Sequence, residues 1–156
     1  MNETLFYRCE KCGNIVALIN SGGGELTCCG QAMTKLEANS TDAAKEKHVP
    51  VLTNEGGKIK ISVGAAPHPM TAEHYIQWIA LVAGNKLEIV HLKPGMDPEV
   101  KFVFYAGDDE VVLTGENDEI VPNCEGSICN FVYKDYSVKA TVYAYCNLHG
   151  LWKAEL

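Results

Sequence analysis

Two cysteines three positions apart and two cysteines side by side stand within the first 30 residues of this chain. Cys9 and Cys12 form a C-x2-C pair, and Cys28 and Cys29 follow as an adjacent pair. The stretch that holds them, LFYRCEKCGNIVALINSGGGELTCCGQAMTKL (residues 5–36), is rich in glycine and poor in large apolar side chains. A unit below about 40 residues seldom closes a core of its own and needs a metal or a disulfide as a staple. Four thiolates favour tetrahedral zinc or iron. The adjacent pair is the unusual element. Neighbouring side chains diverge, so gripping one ion with both strains the backbone and distorts the tetrahedron. A tuned iron site tolerates such distortion better than a structural zinc site. Zinc, or four unrelated buried thiols, are the alternatives at this point.

The rest of the composition narrows the class. The chain has 156 residues, the size of one ordinary domain or of a small one joined to a modest one. It has no run of about 18 apolar residues, so no membrane span is expected. The N-terminal MNETLFYRCEKC has neither a basic region nor an apolar run, so no secretory signal is expected and the expected compartment is the cytoplasm. Seven cysteines in a reducing compartment point to metal ligands or redox groups rather than a disulfide framework. A net charge of -7 with no Lys/Arg block argues against nucleic acid as a partner. It also leaves any anionic substrate dependent on local positive charge.

After a polar stretch at residues 37–47 (EANSTDAAKEK), which reads as a linker, β patterns dominate. KIKISV (58–63) alternates cleanly, and HYIQWIALV, KLEIVHL, VKFVFYA, EVVLT, FVYKDY and VKATVYAY follow, divided by Gly, Pro, Asn and Asp turns. Seven or more short strands at this spacing predict an antiparallel sandwich. HYIQWIALVAG fits a helix on periodicity alone, but its β-branched and aromatic content favours a strand.

Four of the five histidines fall in short motifs: EKHVP (46–50), HPMTAEH (68–74) and YCNLHG (145–150). Pro69 biases His68 away from helix, so a loop can bring His68 and His74 to one point. Cys146 and His149 would supply further donors. Read as nucleophile and base, that pair lacks an orienting carboxylate and an oxyanion hole. Four imidazoles and one thiolate are too many for tetrahedral zinc, whereas iron accepts five or six. Nitrogens in a plane with an axial sulfur would match the donor set of a thiolate haem without its porphyrin.

The order C-x2-C…CC, EKHVP, HPMTAEHYIQWI, LKPG and YCNLHG-x-WKAE resembles the desulfoferrodoxins, two-iron superoxide reductases, over nearly the whole chain. The resemblance implies an all-β fold. A small desulforedoxin-like iron domain (1–37) would precede an immunoglobulin-like antiparallel β-sandwich (38–156) with an inserted hairpin. It implies a first iron on Cys9, Cys12, Cys28 and Cys29, and a catalytic iron on His48, His68, His74 and His149 with Cys146 axial. The implied reaction is one-electron reduction of superoxide to hydrogen peroxide. Lys47 resembles the family's substrate-attracting lysine, and Glu46 the residue that can fill the open position of the oxidised iron. A rubredoxin-like electron donor and a homodimer are implied as partners. His91 matches no family ligand and reads as an ordinary strand residue.

Two other classes remain to be separated from this one. A zinc-stapled β-sandwich binding module would have no redox chemistry, and an iron electron carrier would have no turnover. The stretch between HLKPG and YCNLHG is also longer than the resemblance leads one to expect, with the excess placed at about 108–137. Cys124 and Cys129 lie in it and match no family ligand. They flank Glu125–Ile128, which reads as a hairpin loop that would bring the two within disulfide reach.

Overall fold

The computed structural model describes residues 4–41, 43–54, 58–83, 86–103, 120–125, 128–133 and 140–155. Strand is the dominant state and the longest helix among these residues is a single turn. Residues 4–36 build two small sheets. Strands β1 (Leu5–Arg8), β2 (Ile15–Leu18), β3 (Thr27–Cys28), β4 (Gln31–Ala32) and β5 (Thr34–Lys35) pair as β2-β1-β5 and β3-β4. A helical turn, α1 (Lys45–His48), leads into the larger part. There β6 (Pro50–Asn54), β7 (Lys58–Val63), β8 (Ile76–Ala83), β9 (Lys86–His91) and β10 (Glu99–Val103) follow in order. The chain continues with β11 (Ile120–Glu125), β12 (Ile128–Tyr133), β13 (Ala140–Cys146) and β14 (Gly150–Glu155).

Two antiparallel sheets form the sandwich, one ordered β10-β7-β6 and the other β14-β13-β8-β9. Ile61, Val63 and Phe102 of the first meet Ile79, Leu81, Val142 and Ala144 of the second, all at most 3% exposed. Fully burying one such aliphatic side chain contributes about 1.5–3 kcal/mol. The alternation on β13 is strict. Ala140, Val142, Ala144 and Cys146 face this core, while Tyr143 and Tyr145 face the opposite side. There Phe6 of β1 packs on Trp78 and Tyr143, with ring centroids 5.1 Å apart in both contacts. The cysteine-rich unit therefore covers the outer face of the four-stranded sheet.

On β8 the alternation shifts phase. Tyr145 pairs with Trp78 but Cys146 pairs with Ile76, a β-bulge that leaves Gln77 unopposed. The bulge lets Ile76 and Ile79 share the core face although they are three residues apart. HYIQWIALV is thus a strand from Ile76 onward, as its composition predicts. The EVVLT segment (110–114) lies outside the described residues, as do the tips of several other expected strands.

Within the polar stretch 37–47, Asn39 is pinned rather than free. Asn39, with φ +59°, donates to the Lys153 carbonyl at 3.2 Å and accepts from its N–H at 2.9 Å. The Asn39 N–H also donates to the Leu151 carbonyl at 2.9 Å. These bonds dock the segment along β14, just before the turn that carries Lys47 and His48.

Candidate metal centre

Four histidines and one cysteine converge at one end of the sandwich. His48, His68, His74, Cys146 and His149 each offer a ligand atom, and these atoms all lie within 4.8 Å of one another. Three elements deliver them: the turn α1, the loop between β7 and β8, and the β13–β14 connection. All five residues read as ligands from the sequence are in this one group.

The imidazoles stand at the corners of a square. Centroid separations around it are 4.7 Å (His48–His68), 4.6 Å (His68–His74), 4.8 Å (His74–His149) and 4.6 Å (His149–His48). Each neighbouring pair meets nearly edge-on, whereas the diagonal pair His48–His74 is 6.1 Å apart and closer to parallel, at 29°. That arrangement turns four ring nitrogens toward a common centre. The Cys146 sulfur is 3.6 Å from His149 Nδ1 and supplies the fifth donor.

The tautomers follow from the outer contacts. His48 Nδ1 is 2.7 Å from the Ala44 carbonyl oxygen and His68 Nδ1 is 2.6 Å from that of Pro69. A carbonyl can only accept, so each Nδ1 carries the proton and each Nε2 presents its lone pair inward. His68 Nε2 and His74 Nε2 are buried with no hydrogen-bond partner in the protein. Buried polar nitrogens without a partner are costly. A cation at the centre of the square satisfies them. Five nitrogen and sulfur donors exceed tetrahedral zinc and suit iron with one position to spare.

The electrostatics agree with a cation site. Burial, opposed by the Pro69 carbonyl and aided by neighbouring imidazoles, pushes the His68 pKa down to about 4. Burial first, then neighbouring charge, also lowers His74 and His149. These three imidazoles are therefore held neutral, the form that binds metal. Burial raises the Cys146 thiol, and backbone N–H groups of Leu148 and His149 oppose that by donating toward its sulfur. Those amides belong to the tight turn that Gly150, at φ +73°, returns into β14. His48 is further held by Trp152, whose ring stacks on it at 4.8 Å and 25°.

Two positioning residues were not singled out by the motifs. Asn147 sits between Cys146 and His149 and grips the loop that carries His74. Its Oδ1 accepts from Tyr75 N–H at 2.9 Å, its Nδ2 donates to the Glu73 carbonyl at 2.8 Å, and its backbone N–H donates to the Tyr75 carbonyl at 3.2 Å. Gly64 follows β7 with φ +83° and is buried against α1. Its N–H donates to the Val49 carbonyl at 3.1 Å, and a Cβ there would stand 2.6 Å from the Lys47 carbonyl oxygen. Asparagine between two ligands and glycine after an alternating strand are the signals that were available.

Glu46 and Lys47 are both exposed on α1. The Lys47 charge contributes to lowering the His74 pKa, which places the ammonium within electrostatic range of the square. His91 is exposed at the end of β9 and belongs to neither ligand group.

The second group is Cys9, Cys12, Cys28 and Cys29, whose sulfurs also lie within 4.8 Å of one another. Cys12 Sγ is 3.6 Å from Cys28 Sγ, and Cys28 Sγ is 3.9 Å from Cys29 Sγ. A tetrahedron with metal–sulfur bonds of about 2.3 Å has edges of about 3.8 Å, so the spacing fits one ion. The strain expected of the adjacent pair is present: Cys29 has φ +53°, in the left-handed region. The turn after Cys9 is closed by Gly13 N–H to Cys9 O and by Cys9 N–H to Asn14 O, both 2.8 Å. N–H groups of Cys12 and Lys11 hold the Cys9 thiol down at about 7, while neighbouring thiols push Cys29 up to about 12.

The family model Desulfoferrodoxin matches residues 40–155, and Desulfoferrodoxin, N-terminal domain matches residues 1–36. A desulfoferrodoxin from Desulfarculus baarsii is 42% identical over 149 residues, covering 96% of this chain and 94% of that one. A desulfoferrodoxin from Nitratidesulfovibrio vulgaris is 38% identical over 154 residues, covering 99% and 98%. The crystal structure of the superoxide reductase from Treponema pallidum superposes with a TM-score of 0.65 at 26% identity, covering 98% of this chain and 99% of that one. The matched ranges take in both cysteine pairs and all three histidine motifs, and on the strength of these matches the chain belongs to the desulfoferrodoxin family.

Proposed function

We propose that this protein is a superoxide reductase. It reduces superoxide by one electron to hydrogen peroxide at an iron held by His48, His68, His74, His149 and Cys146. The observation that carries this reading is the square of imidazoles with a sulfur donor beside it. A structural metal site saturates its ion, whereas five donors leave an octahedral ion one position for a small ligand. When bound, the iron supplies the one-electron redox chemistry and that position.

The chain's own residues shape the rest. His48, His68, His74 and His149 would hold the ion through ring nitrogens that bring no negative charge, so Cys146 would be the one anionic donor and the centre would keep a net positive charge that favours an anionic substrate. Cys146, dry and met by the amides of Leu148 and His149, supplies a thiolate as electron donor to the centre. Lys47 draws the anion in, offsetting the net charge of -7, and orients water for proton delivery to the product. Glu46, its exposed neighbour, would supply a carboxylate able to fill the position left open by the five donors.

Cys9, Cys12, Cys28 and Cys29 hold a second iron, in a unit that spans residues 1–37 and precedes the reductase unit at 38–156. The electron is restored by a rubredoxin-like donor. Leu148, 60% exposed in the turn between two ligands, offers such a donor an apolar contact beside the thiolate. The chain works in the reducing cytoplasm as a homodimer. No helix among the described residues is long and apolar enough to cross a membrane. Metal analysis with visible spectra tests the reading. Two irons per chain are expected, with four-thiolate bands as isolated and a thiolate band from the second centre only on oxidation. One iron per chain, or zinc as the main metal, sinks it.

A further inference from the structure

We propose that Cys124 and Cys129 form a reversible thiol–disulfide couple that accepts oxidising equivalents from hydrogen peroxide. This makes a third redox site, separate from both metal groups. That the chain itself produces the peroxide rests on the superoxide reductase reading; the couple does not.

The supporting relationship is the register of the β11–β12 hairpin. Its ladder runs from Ile120↔Tyr133 to Glu125↔Ile128, and Cys124 stands directly opposite Cys129. Directly opposed residues share one face of an antiparallel ribbon, with α-carbons about 4.5 Å or about 5.5 Å apart according to pair type. Both values fall inside the span of about 4.4–6.8 Å that a disulfide bridges. A slip of one residue would put the two cysteines on opposite faces, so register, not closeness in sequence, makes the pair. Among the described elements the hairpin is a sheet of its own. The two metal groups are complete without it.

The chemistry closes with peroxide alone. One thiolate attacks an oxygen of hydrogen peroxide; an S–O bond forms, the O–O bond breaks and water leaves. The opposed thiol then attacks the sulfenic sulfur; the S–S bond forms and a second water leaves. Two sulfurs lose one electron each and the two peroxide oxygens gain one each. Residues 120–133 contain no Lys, Arg or His, so no cation from the hairpin activates either thiol.

The test uses the full metal-loaded chain, reduced with dithiothreitol, freed of it, exposed to added hydrogen peroxide and alkylated with iodoacetamide. Cys124 and Cys129 are the two cysteines of the tryptic peptide 102–134. That peptide should become unalkylated and lighter by two hydrogens, and dithiothreitol should restore both alkylation sites. In Cys124→Ser the remaining Cys129 should stop at a sulfenic acid that dimedone traps, and Cys129→Ser should do the converse. Full alkylation of both cysteines after peroxide, or a bond between copies in place of the internal one, overturns the proposal. Superoxide consumption by the reduced chain is followed in the same preparation. Its failure while the disulfide forms counts against the superoxide reductase reading and leaves the couple standing.

Discussion

His48 Nε2 and His149 Nδ1 lie 2.8 Å apart, although 101 positions separate the two residues in the chain. Two imidazole nitrogens at that distance share one proton or one metal ion. The Ala44 carbonyl holds the proton of His48 on Nδ1, so its Nε2 lone pair faces His149 Nδ1, at a separation that two neighbouring ligands of one metal ion would have. His149→Ala should therefore lose the iron of the His/Cys centre and keep the four-thiolate iron. Elemental analysis should fall from two metals per chain to one, with the four-thiolate bands unchanged.

Asn147 ties the turn bearing Cys146 and His149 to the loop bearing His74 through three hydrogen bonds, two of them from its side chain. Loss of such an outer contact typically costs about 10–100-fold in metal affinity. Asn147→Ala should weaken iron retention at the His/Cys centre by about that factor against a competing chelator. Release from the four-cysteine site, followed by its own bands, should proceed at the native rate.

Gly64 supports the same centre from the backbone. Alanine at φ +83° with its Cβ 2.6 Å from the Lys47 carbonyl oxygen must displace α1, and His48 with it. Left-handed strain alone costs about 1–2 kcal/mol, and the contact with backbone adds to it. Gly64→Ala should lower the denaturant midpoint and the affinity of the His/Cys centre together. Unchanged metal affinity in a destabilised variant would contradict the link.

The metal-free chain should lose stability on acidification. The folded pKa of His68 is pushed down to about 4, and those of His74 and His149 are lowered, from an ordinary value of about 6.5. The unfolded chain thus takes up protons first. Stability is full above about pH 6.5 and falls as pH drops toward the lowered values. Urea midpoints at neutral pH and at pH 5 check this; a higher midpoint at pH 5 would show the opposite sign.

Lys47→Ala should slow the encounter with superoxide by about 10-fold or more at low ionic strength and flatten its salt dependence. An unchanged rate at low salt would make Lys47 ordinary solvated surface.

Much of this was legible in the sequence because chemistry, not packing, sets it. Cys9, Cys12, Cys28 and Cys29 announced a metal by their types and spacing in a unit too small to fold alone. The adjacent pair announced backbone strain, found at Cys29. The five donors of the second centre were named by motif, and Ile76–Ala83 was read as strand by its β-branched and aromatic content. What escaped was geometry that emerges only between segments. The bulge at Gln77 depends on β13, the docking of Asn39 depends on its meeting Lys153, and Asn147 gains its role from a loop 72 residues away. None of these has a local periodicity to betray it.

The central claim is that the chain reduces superoxide and does not dismutate it. The direct measurement is product stoichiometry when the fully reduced chain, in excess, meets a pulse of superoxide. The account predicts one hydrogen peroxide per superoxide consumed, no dioxygen release, and loss of this activity in Cys146→Ser but not in Cys12→Ser. One peroxide per two superoxides with dioxygen released, or an unaffected Cys146→Ser variant, would contradict it.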